Sequence, residues 1–257
     1  MKCKLEKVIL NYKVKGKGKP ILMLNGYATD MNTLIGCMEP IFKDISGWKR
    51  IYIDHPGVGE TKIKSDSFSY KDMIKSFFKF IDKIIGDENF VLVGSSFGGY
   101  IARYLLKEKF DRVNGLLLIY PLIFPQLNKA NIDKDLEYIT HKNNDIKMRI
   151  NQRIKKEVKK AMENTDFSFL EKITKEGQMI NTNIDNLKTP FKKPTLILTG
   201  RQDKEVGYKD AFNILNNYPR ATFCVLDKAG HNLQIEQEKI FNQLVREWIY
   251  RLEEAYK

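Results

Sequence analysis

The sequence predicts an α/β fold: a mostly parallel sheet flanked by helices, interrupted by a helical insertion. Three observations predict it. Short apolar runs recur at Ile21–Leu24, Arg50–Ile53, Phe90–Val93, Val113–Tyr120, Pro194–Thr199 and Ala221–Leu226, as strands buried on both faces do. Stretches with helical apolar spacing alternate with these runs over short connections, which argues for strand-helix-strand units. Between Pro121 and Lys193 the rhythm stops, and a Lys-, Asn- and Asp-rich stretch with no convincing strand takes its place. A structureless loop of that length is unusual in a compact domain, so helices are expected there. The expected division is a core of residues 1–120 and 194–257, with an insertion over 121–193.

Taken in order, Leu5–Val14 mixes β-branched and aromatic residues in loose alternation and fits an edge strand or the start of a hairpin. Gly16–Pro20 is a turn, and Ile21–Leu24 is a buried strand ending at Asn25–Asp30. A helical stretch is expected from there through Phe42. Arg50–Ile53 is the next strand, followed by the loop Asp54–Gly59. Over Tyr70–Ile85, Met73, Ile74, Phe77, Phe78, Ile81, Ile84 and Ile85 fall on one helical face. Phe90–Arg103 reads as strand, tight Gly/Ser turn and helix. Beyond the strand Val113–Tyr120, Pro121–Gln126 reads as loop. Asp133–Lys142, Asp145–Met162 and Phe167–Asn181 read as helical, and Asn181–Thr189 as a surface excursion. Strand Pro194–Thr199, a helix near Tyr208–Asn216, strand Ala221–Leu226 and a final helix Ile235–Leu252 complete the chain. The last helix is expected to bury Ile240, Leu244, Trp248 and Leu252.

Composition narrows the function. The chain has 257 residues, 42% of them apolar, enough for one hydrophobic core. No early apolar run precedes a small-residue cleavage site, and no segment approaches the length of a membrane span. Cys3, Cys37 and Cys224 have no metal-like spacing; an odd count without a secretion signal suggests free thiols and a cytoplasmic location. The net charge of +12 invites a nucleic-acid reading. Lysine is scattered along the chain, however, and no arginine-aromatic module stands out, so no nucleic-acid partner is expected.

The chemistry centres on Gly94-Ser95-Ser96-Phe97-Gly98-Gly99. A sharp turn from strand to helix lifts one side chain out of the sheet and needs small neighbours. Here the glycines give room and Ser96 sits at the apex. A serine hydroxyl needs a base, and the base needs a group to orient it. Of three histidines, His141 lies in the polar insertion, His55 follows a strand in a Gly/Pro loop, and His231 follows the last strand. Catalytic groups gather outside the carboxyl ends of parallel strands, which favours His231 and leaves His55 as competitor. Asp203, just past the strand ending at Thr199, is the favoured orienting acid. Asp227 is its rival, four residues before His231.

Phe90–Gly99, Gly200–Asp203, Gly230-His231 and the Asp54–Gly59 DxPGxG loop together resemble the α/β-hydrolase superfamily, in the branch with a helical cap inserted after the sixth strand. The resemblance spans essentially the whole chain and says little about the cap. It implies a Ser96–Asp203–His231 triad in that chain order, with the Tyr27 and Phe97 backbone amides as oxyanion hole and His55 as a structural loop residue. The family often has His-Gly where this chain has Asn25-Gly26. A serine at the elbow disfavours the dehalogenase and epoxide-hydrolase branches, which use aspartate. The implied chemistry is acyl transfer through an acyl-enzyme, with no cofactor or metal. The expected partner is a small or medium ester or thioester, and Met31, Tyr120, Leu122, Ile123 and Phe124 are candidates to line its pocket. Carbon–carbon hydrolysis of a ring-fission product is the alternative, and a non-catalytic binding or signalling role is the alternative of another class. Neither substrate identity nor oligomeric state is legible.

Overall fold

The computed structural model describes residues 1–124, 143–178 and 184–255. One mixed sheet organises them. Its strands are β1 (Lys2–Lys4), β2 (Val8–Lys15), β3 (Lys19–Leu24), β4 (Trp48–Ile53), β5 (Lys62–Ile63), β6 (Phe90–Ser95), β7 (Val113–Ile119), β8 (Thr195–Gly200) and β9 (Ala221–Leu226). The order is β1-β2-β4-β3-β6-β7-β8-β9, with β5 paired to β2. From β4 to β9 every pairing is parallel, whereas β2 runs antiparallel to β1, β4 and β5.

Alternation along each central strand builds two cores. Leu22, Leu24, Leu92, Leu116, Leu118 and Ile197 face one side. Ile21, Met23, Val91, Val93, Leu117 and Leu198 face the other. The first layer is closed by α2 (Tyr70–Ile84) and α3 (Phe97–Glu108), the second by α1 (Asn32–Met38) and α8 (Glu238–Ala255). Helix α2 starts where a capping box is written: Ser69 Oγ accepts from Asp72 N while the Asp72 carboxylate accepts from Ser69 N.

The insertion follows β7. Its described part holds α4 (Asn144–Arg153), which continues through a π-helical turn at Ile154–Lys159 and a 3₁₀ turn at Lys160–Met162, and then α5 (Phe167–Gln178). It contains no strand among the described residues. It is tied to the core loops below it: Asp166 N donates to Gly57 O at 2.9 Å, Thr165 Oγ1 to Ala28 O at 2.8 Å, and Asp30 N to Ala161 O at 3.2 Å. Short helices α6 (Lys209–Asn213) and α7 (Leu233–Glu236) complete the set.

Three expectations need correction. Ile240 is 43% exposed and Leu244 only partly buried, whereas Trp248 and Leu252 are buried as expected, together with Phe241, Val245 and Ile249. Steps of four residues advance 40° per step beyond a full turn, so the stripe expected through Ile240 and Leu244 drifts off the face; the mixed three- and four-residue spacing stays on it. Strands β1 and β5 were not anticipated. They are too short to show a period, and β5 places the insertion after the seventh strand of this chain. The helix expected over Asp133–Lys142 lies outside the described residues, as do Gln126, His141 and Asn181.

Candidate active site

The elbow forms because strand β6 and helix α3 meet with no room for side chains between them. A Cβ on Gly94 would run into the Gly98 carbonyl, and one on Gly98 into the Leu24 and Asn25 carbonyls. Ser96 stands between them at φ 50° and ψ −118°, a conformation costly for any residue with a side chain. The surrounding backbone holds it there. Ser96 N donates to Ile119 O at 2.9 Å, and the Ser96 carbonyl accepts from Gly99 N at 2.9 Å and Leu122 N at 3.0 Å.

Strand order brings the partners together. Ser96 follows β6, Asp203 follows β8 and His231 follows β9, all at carboxyl ends. Two strand spacings, roughly 10 Å, separate β6 from β8, a gap that one imidazole spans. His231 Nε2 lies 3.1 Å from Ser96 Oγ, and His231 Nδ1 lies 2.9 Å from Asp203 Oδ2. The Asp203 carboxylate is fully buried, and its other oxygen accepts from the backbone amides of Glu205 at 2.8 Å and Val206 at 3.1 Å. Those bonds fix its orientation. With Asp203 accepting the Nδ1 proton, Nε2 is left as the acceptor facing Ser96. Asp227 is exposed in the turn after β9, near the positive-φ Lys228, and its carbonyl accepts from Gln237 Nε2 at 2.8 Å.

The other histidine with a strand-end position, His55, is buried away from this chain of bonds. Its Nε2 donates to Asn25 O at 2.7 Å, and its ring packs near Phe77 and Phe97. Burial lowers its pKa to about 4, so the ring is neutral. It holds the loop carrying Gly26 and Tyr27. Asp54 braces the same region: Oδ1 accepts from Met31 N at 2.8 Å, and Oδ2 from Asn11 Nδ2 at 2.7 Å. In this loop Gly26 faces the serine, where a Cβ would lie 3.3 Å from Ser96 Cβ. Among the described residues the backbone amides of Tyr27 and Phe97 have no acceptor.

Ser96 and His231 open onto a cavity of about 290 Å³ whose walls include Tyr27, Phe97, Tyr100, Leu122 and Val206. Of the residues expected to line it, Leu122 does. Tyr120 is buried with its ring centroid 4.5 Å from that of His231, packing behind the imidazole. Met31 and Ile123 lie in the two cores, and Phe124 is 47% exposed. Tyr70, Tyr100 and Thr174 at the cavity were not anticipated. Tyr100 is four residues after Ser96 on a helix, and that spacing was the available signal. Nor was Arg103, one turn further on. Its guanidinium is completely buried, bonded to the Asp185 carboxylate and to the carbonyls of Leu122 at 2.9 Å and Ile123 at 2.6 Å.

No group of three or more His, Cys, Asp or Glu side chains suited to a metal occurs among the described residues, and no helix there is long and apolar enough to cross a membrane.

The family profile of the alpha/beta hydrolase fold matches residues 19–143. No curated protein matches the sequence. Similar solved structures include an alpha/beta superfamily hydrolase from Oenococcus oeni PSU-1, 22% identical over 96% of this chain and 97% of that one, with a TM-score of 0.78. A thermophilic esterase from Thermogutta terrifontis is 21% identical over 98% and 99%, with a TM-score of 0.67. A meta-cleavage product hydrolase from Pseudomonas fluorescens IP01 is 20% identical over 95% and 94%, with a TM-score of 0.67. At these identities the likeness is one of fold.

Proposed function

This chain has the alpha/beta-hydrolase fold with an inserted helical cap, and on that premise we propose that it is a serine hydrolase of small or medium carboxylic esters or thioesters. The observation that carries the proposal is the unbroken hydrogen-bonded chain Ser96–His231–Asp203, opening onto a cavity. In the proposed reaction Ser96 Oγ attacks the acyl carbon as His231 Nε2 takes its proton. Asp203 holds the imidazole and stabilises the imidazolium. The Tyr27 and Phe97 amides receive the tetrahedral oxyanion, a role worth about 3 kcal/mol per donor in comparable sites. His231 then protonates the leaving group, and a water activated by the same imidazole releases the acid. In this reading the insertion after β7, whose helix α5 brings Thr174 and Gly177 to the cavity wall, reads the acyl chain.

The cavity walls favour a neutral acyl group. Among the described residues no lysine or arginine lines the cavity, and Glu205 stands at its side. The short Ser96–His231 distance and the open cavity likewise favour catalysis over a purely binding role.

The test pairs turnover with labelling. Nitrophenyl esters from acetate to hexanoate, an acyl thioester and a ring-fission product are assayed with wild type and Ser96→Ala, and a fluorophosphonate adduct is located by mass spectrometry. Ester or thioester turnover that falls at least about 10³-fold in the variant, with the adduct on Ser96, is expected. Equal turnover by Ser96→Ala, labelling elsewhere, or cleavage of the ring-fission product alone would overturn the reading.

A further inference from the structure

We propose that His55 is a positioning residue of the candidate site: from one buried ring it sets both of the backbone amides, Tyr27 N–H and Phe97 N–H, that receive the oxyanion. This rests on the acyl-transfer reading above. His55 is buried and takes no part in the bonds that join Ser96, His231 and Asp203. Its place comes from the sheet. Leu24 and Ile53 are paired in parallel at the carboxyl ends of β3 and β4, so Asn25 and Asp54 leave the sheet side by side, and His55 follows. His55 Nε2 then meets Asn25 O at 2.7 Å. A carbonyl oxygen only accepts, so Nε2 carries the proton.

That bond fixes the first half of the hole. The Asn25 carbonyl is also pressed against the elbow helix, since a Cβ on Gly98 would run into it. Gly26, the next residue, lies against Ser96, and its carbonyl accepts from Thr29 Oγ1 at 3.2 Å and Thr29 N at 3.4 Å. In a trans peptide the C=O and N–H point opposite ways. With Gly26 O held toward Thr29, the Tyr27 N–H on the other edge of the same peptide is turned away from Thr29.

The second half is reached through the ring itself. The His55 centroid lies 5.7 Å from that of Phe97, whose amide is the other donor, and Phe77 backs the imidazole at 6.3 Å. Phe97 in turn meets Tyr27 edge to face at 6.4 Å. One packed unit of His55, Phe97 and Tyr27 therefore sets the spacing of the two amides, while His55 itself does not line the cavity. Donors that meet a charge formed only in the transition state act on kcat and leave ground-state binding alone.

The test compares wild type with His55→Leu, which removes the donor and keeps an apolar body, and with His55→Gln, whose Nε2 stands the same number of bonds from Cα. On nitrophenyl butyrate, His55→Leu is expected to lose about tenfold to thirtyfold in kcat with KM changed less than about twofold, and His55→Gln to return to within about threefold of wild type. Inhibition by 1,1,1-trifluoro-2-heptanone is the second readout. Ser96 Oγ adds to its carbonyl carbon, the C=O π pair becomes an oxyanion, and the serine proton passes to His231. Its affinity is expected to fall in His55→Leu by the same factor as kcat/KM. A loss carried by KM, an unchanged inhibitor affinity, or equal losses in the two variants overturns the proposal. Should His55→Leu not fold, His55→Asn, whose amide stops one bond short of Asn25 O, takes its place with the same expected outcomes. A crystal structure of the donor-deleted variant completes the test: displacement of residues 25–27 from Ser96 supports the positioning role, and an unmoved loop overturns it. If wild type turns over no ester, the acyl-transfer reading fails, while the crystal structure still decides whether His55 sets the loop.

Discussion

Replacing Arg103 with methionine tests how firmly the elbow helix is joined to the insertion. The guanidinium is completely buried and serves both ends of the insertion at once. It holds the Leu122 and Ile123 carbonyls at the departure from β7 and the Asp185 carboxylate on the return. Methionine keeps much of the volume and removes every one of these donors. Breaking a buried pair by deleting one partner costs about 3–5 kcal/mol. The Asp185 side chain is 16% exposed and gains some water, which places the expected loss near the lower end, about 3 kcal/mol. In urea, with a slope of about 3 kcal/mol/M, the midpoint falls by roughly 1 M at unchanged slope. The Arg103→Met, Asp185→Leu double variant removes the stranded carboxylate and is expected to recover about half of the loss, since apolar replacement of a whole buried pair is often nearly neutral. A single-variant loss below about 1 kcal/mol, or fully additive losses in the double, would refute the reasoning.

Other predictions follow from the same geometry. Asp203→Asn is expected to lower kcat about 10³- to 10⁴-fold by leaving His231 in the wrong tautomer, and Asp227→Asn to change it less than about twofold; steady-state kinetics on one ester distinguishes the two acids. His55 is neutral in the fold, with a pKa of about 4 against about 6.5 unfolded. The unfolded chain therefore binds the extra proton first, so stability present above pH 6.5 is lost as pH falls toward 4, by about 2 kcal/mol between pH 7 and 4.5. Desolvation raises the neighbouring Asp54 and acts in the opposite sense. The comparison is therefore with His55→Gln under the same urea titration, where a pH slope no flatter than wild type would count against the prediction.

The parts of this protein legible in its sequence are those where one physical demand fixes both residue type and spacing. Gly94, Ser96 and Gly98 can be read because strand and helix cannot meet there otherwise. His231 and Asp203 can be read because parallel strands deliver their following residues to one edge. The α2 helix is legible down to its first turn through Ser69 and Asp72. Tyr70 and Arg103 carry no such mark. An aromatic at a helix start and an arginine on a helix look like ordinary surface or core positions until α5, Asp185 and the residues after β7 come to rest against them. The pocket expectation failed at Met31, Ile123 and Phe124 for the same reason. Apolar character near a strand end does not say whether a side chain faces the cavity, the core or solvent.

The bond from Leu122 N to the Ser96 carbonyl bears on how such an insertion can be exchanged. The first residues after β7 belong mechanically to the elbow, because the same peptide that starts the excursion seats the serine. Residues 120–123 therefore cannot change in length without disturbing φ and ψ at Ser96. On the return side, Asp185 is bound to the elbow helix and its carbonyl accepts from Asn217 Nδ2 at 2.8 Å. A chimera that swaps this insertion for another should be cut after Ile123 and before Ile184. Cuts at the edges of β7 and β8 would carry away part of the site along with the segment being replaced.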